Sequence, residues 1–169
     1  MQVHQYTPRA LCLHNLLTRA ECDDWIKRAE DCGFEDAPIS TSLGDQVNKR
    51  VRNNARVILD DSIWADKIWS RINKISFPEF ANWKPSGMNE RFRIYRYQKY
   101  QEFRSHSDGK FHRSNTEESK LTFMIYLNDD FQGGSTIFDE FVAWPETGMG
   151  LCFDHSLRHE GTMILDGVK

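Results

Sequence analysis

The chain lacks any apolar run close to the ~20 residues that a membrane-spanning helix requires. Its N-terminus, MQVHQYTPRA, has neither the basic start nor the apolar stretch of a secretory signal, so no membrane attachment and a cytoplasmic address are the expectation. It also lacks a C-x-x-C pair: Cys12, Cys22, Cys32 and Cys152 stand far apart. That excludes a zinc knuckle and a dithiol redox motif and leaves reduced, packing thiols. Charge of one sign is scarce too. A net charge of -3 over 169 residues gives no global field to attract polyanions, although Lys49, Arg50, Arg52 and Arg56 make one local basic segment, so the sequence gives no strong support for a nucleic-acid partner. There is no internal repeat and no low-complexity segment. What is present, 39% hydrophobic and 28% charged residues, suits one globular unit spanning 1–169.

Helical signals fall in the first half. Thr18 and Glu21 form a capping-box pattern, Trp25, Ile26 and Ala29 mark a buried face and Gly33 a left-handed stop, which predicts a helix over about 19–32. Asp60-Asp61-Ser62 introduces a second helix, with Trp64, Ile68, Ile72 and Ile75 at helical spacing and Pro78 as its end. Between them, residues 35–56 read as a long surface loop or irregular strand, where Arg50, Arg52, Asn53 and Asn54 could close over a substrate, although a solvated run is the safer reading. From Arg91 the period changes to two. RFRIYRYQ alternates, LTFMIYL is a continuous apolar strand covered on both sides, and STIF, FVAW, GLCFDH and TMIL follow between Gly and Pro turn signals. The chain is therefore α+β, with helical support over about 1–90 and a β core, a sandwich or barrel, over about 91–169.

Of the six histidines, only His106 opens an H-x-D triplet, His106-Ser107-Asp108, just past the RFRIYRYQ strand. Alternate residues of an extended chain point the same way, so both side chains can face one metal. His159, in LRHEG, supplies a third ligand. Two imidazoles and a carboxylate on one face of an octahedron leave positions open, the ligand set of non-haem iron(II) oxygenases. Zinc competes for the same donors, but no H-E-x-x-H accompanies them, and the His155-x3-His159 pair has no cysteine pair to complete a finger. Lys169 lies beyond the turn at Asp166-Gly167. A strand running back along the sheet brings its ammonium to the pocket, where it can hold the far end of a metal-bound dicarboxylate; otherwise it is a solvated lysine. His112 and His155 are read as substrate-orienting or supporting groups, or else as surface or packed histidines.

His106-x-Asp108, LTFMIYLNDDFQGGSTIF, Pro145-x-x-Gly148, His159-Glu160-Gly161 and Lys169 together resemble the prolyl 4-hydroxylase alpha-subunit-like 2-oxoglutarate/iron(II) oxygenases. The similarity is strong over about 91–169 and loose before it. It implies a double-stranded β-helix (jelly-roll) core with N-terminal packing helices, iron held by His106, Asp108 and His159, and 2-oxoglutarate held by Lys169. Tyr97 and Tyr126 are implied beside the co-substrate, or else serve as core aromatics. O2 is the other co-substrate and ascorbate the reductant. A carboxylate at Asp108 favours hydroxylation over halogenation. The implied reaction hydroxylates a prolyl residue in a peptide or protein, or a related amino-acid-like small molecule, and releases succinate and CO2. The alternatives are an N-demethylase of the same iron chemistry and a non-catalytic binding module of the same fold. The chain departs from the family pattern at two places. Phe103 stands where many prolyl hydroxylases carry tyrosine, and the chain stops at Lys169 where the family's last strand runs on, as expected of a fragment whose terminal carboxylate weakens anion binding.

Overall fold

The computed structural model describes residues 1–41 and 44–169. Two four-stranded antiparallel sheets face each other as a jelly roll. One is ordered Gln2–Thr7, Ala10–His14, Gly150–Asp154, Leu121–Ile125; the other is ordered Val142–Ala143, Thr136–Phe138, His159–Gly161, Phe103–His106. Strand alternation decides what each residue packs against. Ala10 and Cys12, with Leu151 and Phe153, point between the sheets to meet Tyr126, Phe138 and Ala143. Leu11, Leu13 and Cys152 point the other way, into a second cluster that receives Trp25 from one helix and Ile68 and Ile72 from another. The first sheet is thus covered on both faces, which is why LTFMIYL is apolar but for Thr122: Met124 and Tyr126 face the sandwich while Leu121, Phe123 and Ile125 face the helices.

The helices are α1 (Arg19–Cys32) and α2 (Ser62–Ile72). Helix α1 has the expected bounds, and the Thr18 hydroxyl and Glu21 carboxylate make the reciprocal cap. Glu21 also receives Arg71 at 2.6 Å and Lys67 at 2.8 Å, fastening the two helices. Helix α2 stops at Ile72, short of Pro78, because the Asn73 amide closes the last turn on Trp69. Ile75 still packs on the helical cluster from beyond the helix end.

The first 90 residues are not purely helical. They contribute two strands to the sheet that carries Leu121–Ile125, and Ala55–Asp60 pairs along its whole length with Arg91–Arg96. Residues 35–56, read from sequence as loop or irregular strand, contain the short strands Glu35–Asp36, Ile39–Thr41 and Gly44–Gln46. Their 48–54 segment lies on the chain at 100–104, with the Arg104 amide donating to the Val51 carbonyl at 3.0 Å. Arg50 is exposed as expected, but Arg52 and Asn54 are buried, at 6% and 1% exposure. The solvated-run reading fails for those two because this segment packs against the strand bearing Phe103. All four cysteines are free thiols, three of them buried, and no helix among the described residues is long and apolar enough to cross a membrane.

Candidate metal centre

The second sheet brings the predicted ligands together. His106 ends the Phe103–His106 strand, His159 begins the His159–Gly161 strand, and the two are direct cross-strand partners with ring centroids 4.3 Å apart. Asp108 follows two residues later, held by its amide donating to the His155 carbonyl at 3.1 Å. Its Oδ1 lies 3.6 Å from His106 Nε2 and its Oδ2 lies 3.8 Å from His159 Nε2. The three ligand atoms fall within 4.8 Å of one another, the one such group among the described residues.

The imidazoles are oriented as metal ligands require. His106 Nδ1 donates to the Arg104 carbonyl at 2.8 Å and His159 Nδ1 to the Leu157 carbonyl at 3.0 Å. Each proton is thereby placed on Nδ1, and each Nε2 lone pair is left facing Asp108. Protonation states agree. Burial pushes the His159 imidazole below its ordinary value, favouring the neutral ring. Burial works against the Asp108 charge, yet His106, Thr122 and His159 outweigh it and hold the carboxyl below the usual carboxylate range. Two imidazoles and a carboxylate, all aimed at one point, fit a divalent iron.

The other predicted residues gather at one end of the sandwich. Lys169 and Tyr97 exchange backbone hydrogen bonds, at 2.9 and 2.7 Å, so the chain end lies against the strand that begins at Arg91. The Lys169 Nζ lies 5.0 Å above the Tyr126 ring and 5.5 Å above the Tyr97 ring, and its neighbour within hydrogen-bond reach is the Gly134 carbonyl at 2.7 Å. Burial lowers its pKa to about 8. Gly134 makes the approach possible: it sits at φ +65, and a Cβ there would meet Ile164 Cδ1 at 2.4 Å and the Lys169 stem at 3.3 Å. Tyr126 is also tied to Thr136 at 2.6 Å, and burial pushes the Tyr97 phenol up to about 12 despite the nearby Arg52 charge. All three line the cleft that contains His106, Asp108 and His159.

His112 does not join the site; it is exposed and paired with Glu118 at 2.9 Å. His155 is 8% exposed, lines the cleft and leaves Nδ1 without a hydrogen-bond partner, but stands outside the ligand group. One residue that sequence reasoning missed is Thr122, whose hydroxyl donates to Asp108 Oδ2 at 2.5 Å. Its signal was available: it lies four residues before Tyr126 in the extended run LTFMIYL, hence on the same face.

Comparisons agree with this arrangement. Residues 92–169 match the 2OG-Fe(II) oxygenase superfamily. Arabidopsis thaliana probable prolyl 4-hydroxylase 8 is 27% identical over 144 residues, covering 82% of this chain and 47% of the relative. Probable prolyl 4-hydroxylase 3 of the same plant is 28% identical over 141 residues, covering 81% and 47%. The chain thus spans about half the length of the curated relatives it matches. Among solved structures, a viral collagen prolyl hydroxylase from Paramecium bursaria Chlorella virus-1, in complex with 2OG, superposes with a TM-score of 0.62 at 18% identity, covering 95% of this chain and 91% of that one. A Pseudomonas putida prolyl-4-hydroxylase superposes with a TM-score of 0.64 at 16% identity, covering 94% and 87%. Sheet topology, ligand geometry and sequence relatives point the same way: residues 92–169 match the 2OG-Fe(II) oxygenase superfamily, and the chain is similar to prolyl 4-hydroxylases in sequence and in fold.

Proposed function

We propose that this chain, acting as one oxygenase unit over 1–169, is an iron(II)- and 2-oxoglutarate-dependent dioxygenase. It hydroxylates a prolyl residue in a peptide or protein, or a closely related amino-acid-like substrate, with release of succinate and CO2. The observation that carries this reading is the triad itself, with both Nδ1 protons tied to backbone carbonyls so that two lone pairs and one carboxylate converge. When bound, the ferrous ion supplies the activation of O2 and the oxidation of a C–H bond that no side chain here can perform. The protein's share is positioning. His106, Asp108 and His159 would hold the ion. Lys169 receives the distal carboxylate of 2-oxoglutarate, exchanging a weak bond to Gly134 for a charge-assisted one in a buried place. Tyr97 and Tyr126 wall that end and exclude water from it. Thr122 keeps the Asp108 carboxylate turned toward the metal. Ascorbate as reductant and a cytoplasmic setting belong to the same proposal; the free thiols support the setting.

The test is a panel of prolyl peptides and free amino acids incubated with iron(II), 2-oxoglutarate and O2, scored for succinate and for a mass gain of one oxygen atom. Peptidyl proline is expected to react. Reaction of free amino acids alone overturns the peptide assignment, and no succinate with any substrate overturns the oxygenase reading.

A further inference from the structure

The half-buried arginines that brace the helices and the strands beside the cleft each face a carboxylate. Arg28 has Asp61 at 2.7 Å, Arg56 has Glu35 at 3.4 Å, Arg71 has Glu21 at 2.6 Å and Arg96 has Glu30 at 2.7 Å. Arg52 does not. It is 6% exposed, and among the described residues its partners are neutral: Nε donates to Asn54 Oδ1 at 2.8 Å, the Tyr97 phenol is a further hydrogen-bonding neighbour, and the guanidinium lies between two rings, 4.1 Å from the Tyr95 centroid and 4.2 Å from the Phe103 centroid. A permanent charge withdrawn from water is costly unless an anion meets it, and two aromatic faces offset only part of that cost. The residue is also held in place, because its segment bridges to Phe103 and hydrogen-bonds along the metal-bearing strand. Phe103 stacks in turn on His106 with centroids 3.5 Å apart, so a metal ligand, a ring and the arginine form one column on the wall of the cleft.

We propose that Arg52 is the docking point for a carboxylate carried by the molecule to be hydroxylated, either a chain-terminal carboxylate or an acidic side chain beside the target residue. The inference rests on the oxygenase reading for the identity of the target, while the anion site itself rests on the geometry of Arg52. The column places that carboxylate a few bonds from the metal, so the target carbon and the anion belong to the same or adjacent residues. Lys169, whose ammonium lies 5.5 Å from the Tyr97 ring centroid, holds a different carboxylate, that of the co-substrate.

The test uses pairs of probes that differ in one group: N-acetyl-Ala-Pro against its C-terminal amide, and N-acetyl-Ala-Pro-Glu-Ala-amide against the Gln version. Affinity is measured by calorimetry on the full chain, both alone and loaded with zinc and 2-oxoglutarate, which permits no turnover. At least one acid should bind about tenfold or more tighter than its neutral partner, and the pair that discriminates tells a terminal from a side-chain carboxylate. Arg52→Gln should erase the preference and Arg52→Lys should retain part of it. Neither should change the KM for 2-oxoglutarate in substrate-free succinate formation, which separates this anion from the co-substrate's. Arg52→Met keeps the apolar stem, and in ligand-free protein it should leave the melting temperature unchanged or raised, where a purely structural arginine would lower it. Equal binding of acid and amide in both pairs, no binding by any probe, a preference that survives Arg52→Gln, or a raised 2-oxoglutarate KM each overturns the proposal. Wild-type protein that forms no succinate would sink the oxygenase reading while leaving the acid-amide comparison intact.

Discussion

Replacing Lys169 by methionine should make the ligand-free protein more stable while removing its affinity for 2-oxoglutarate. The magnitude comes from the burial of the ammonium. Its pKa falls from the ordinary 10.5 to about 8, a drop of roughly 2.5 pH units and so about 3 kcal/mol at ~1.36 kcal/mol per unit. Methionine keeps the stem packing on Tyr97 and Tyr126 and removes the charge. Against this gain stands the Gly134 carbonyl, which loses its donor at a cost of about 1–3 kcal/mol. The net expectation is a gain between zero and about 2 kcal/mol at pH 7, read as a melting temperature higher by up to ~8 °C at ~2–4 °C per kcal/mol. The pH dependence fixes the cause. A lysine whose folded pKa is depressed binds fewer protons folded than unfolded between about pH 8 and 10.5, so wild-type stability rises through that window and the advantage of the variant disappears by its upper end. Losing the charged partner should weaken 2-oxoglutarate binding by about thirtyfold or more. Thermal melts across pH 7 to 10.5, with calorimetric titration of 2-oxoglutarate, decide the matter. A variant destabilised by more than about 2 kcal/mol, or one that binds 2-oxoglutarate within about threefold of wild type, refutes the reasoning.

Wild-type affinity for 2-oxoglutarate should be flat below about pH 8 and fall about tenfold per pH unit above it, because the anion needs the ammonium and the ligand-free group gives up its proton there; titration at three pH values suffices to see it. Asp108→Ala should abolish specific iron(II) binding in calorimetry, since two imidazoles remain without the carboxylate that completes the face. Thr122→Val, which keeps the shape and removes the donor to Asp108, should cost about tenfold in iron affinity with little change in melting temperature. Gly148→Ala should destabilise the fold by about 2 kcal/mol or more without touching the site: the residue sits at φ +78, and a Cβ would lie 2.1 Å from the Leu17 carbonyl oxygen. A melt of that variant within a degree of wild type would count against the turn geometry.

Local signals in the chain were enough for whatever depends on neighbours in sequence. The capping box and its glycine stop set α1, because both act within one turn. The H-x-D spacing put His106 and Asp108 on one side, because extended backbone alternates. His159 and Lys169 entered as candidates from residue type and position, and the resemblance in the last half then gave them expected roles beside iron and 2-oxoglutarate. What local signals could not reach is set by pairing across long separations. Nothing near Gln2 announces that it begins the sheet finished by Gly150–Asp154 and Leu121–Ile125, since a strand's partner is chosen by register and burial and not by its own residues. Arg52 shows the same limit most sharply. In sequence it is one cation among several, and only the packing of its segment on Phe103 turns a solvated charge into a buried one with no anion among the described residues. Thr122 became a support for Asp108 when the two sheets closed on each other, and His106 a neighbour of His159 when their strands paired within one sheet. Burial and charge balance are properties of the assembled sandwich, and the sequence states them only after it has folded.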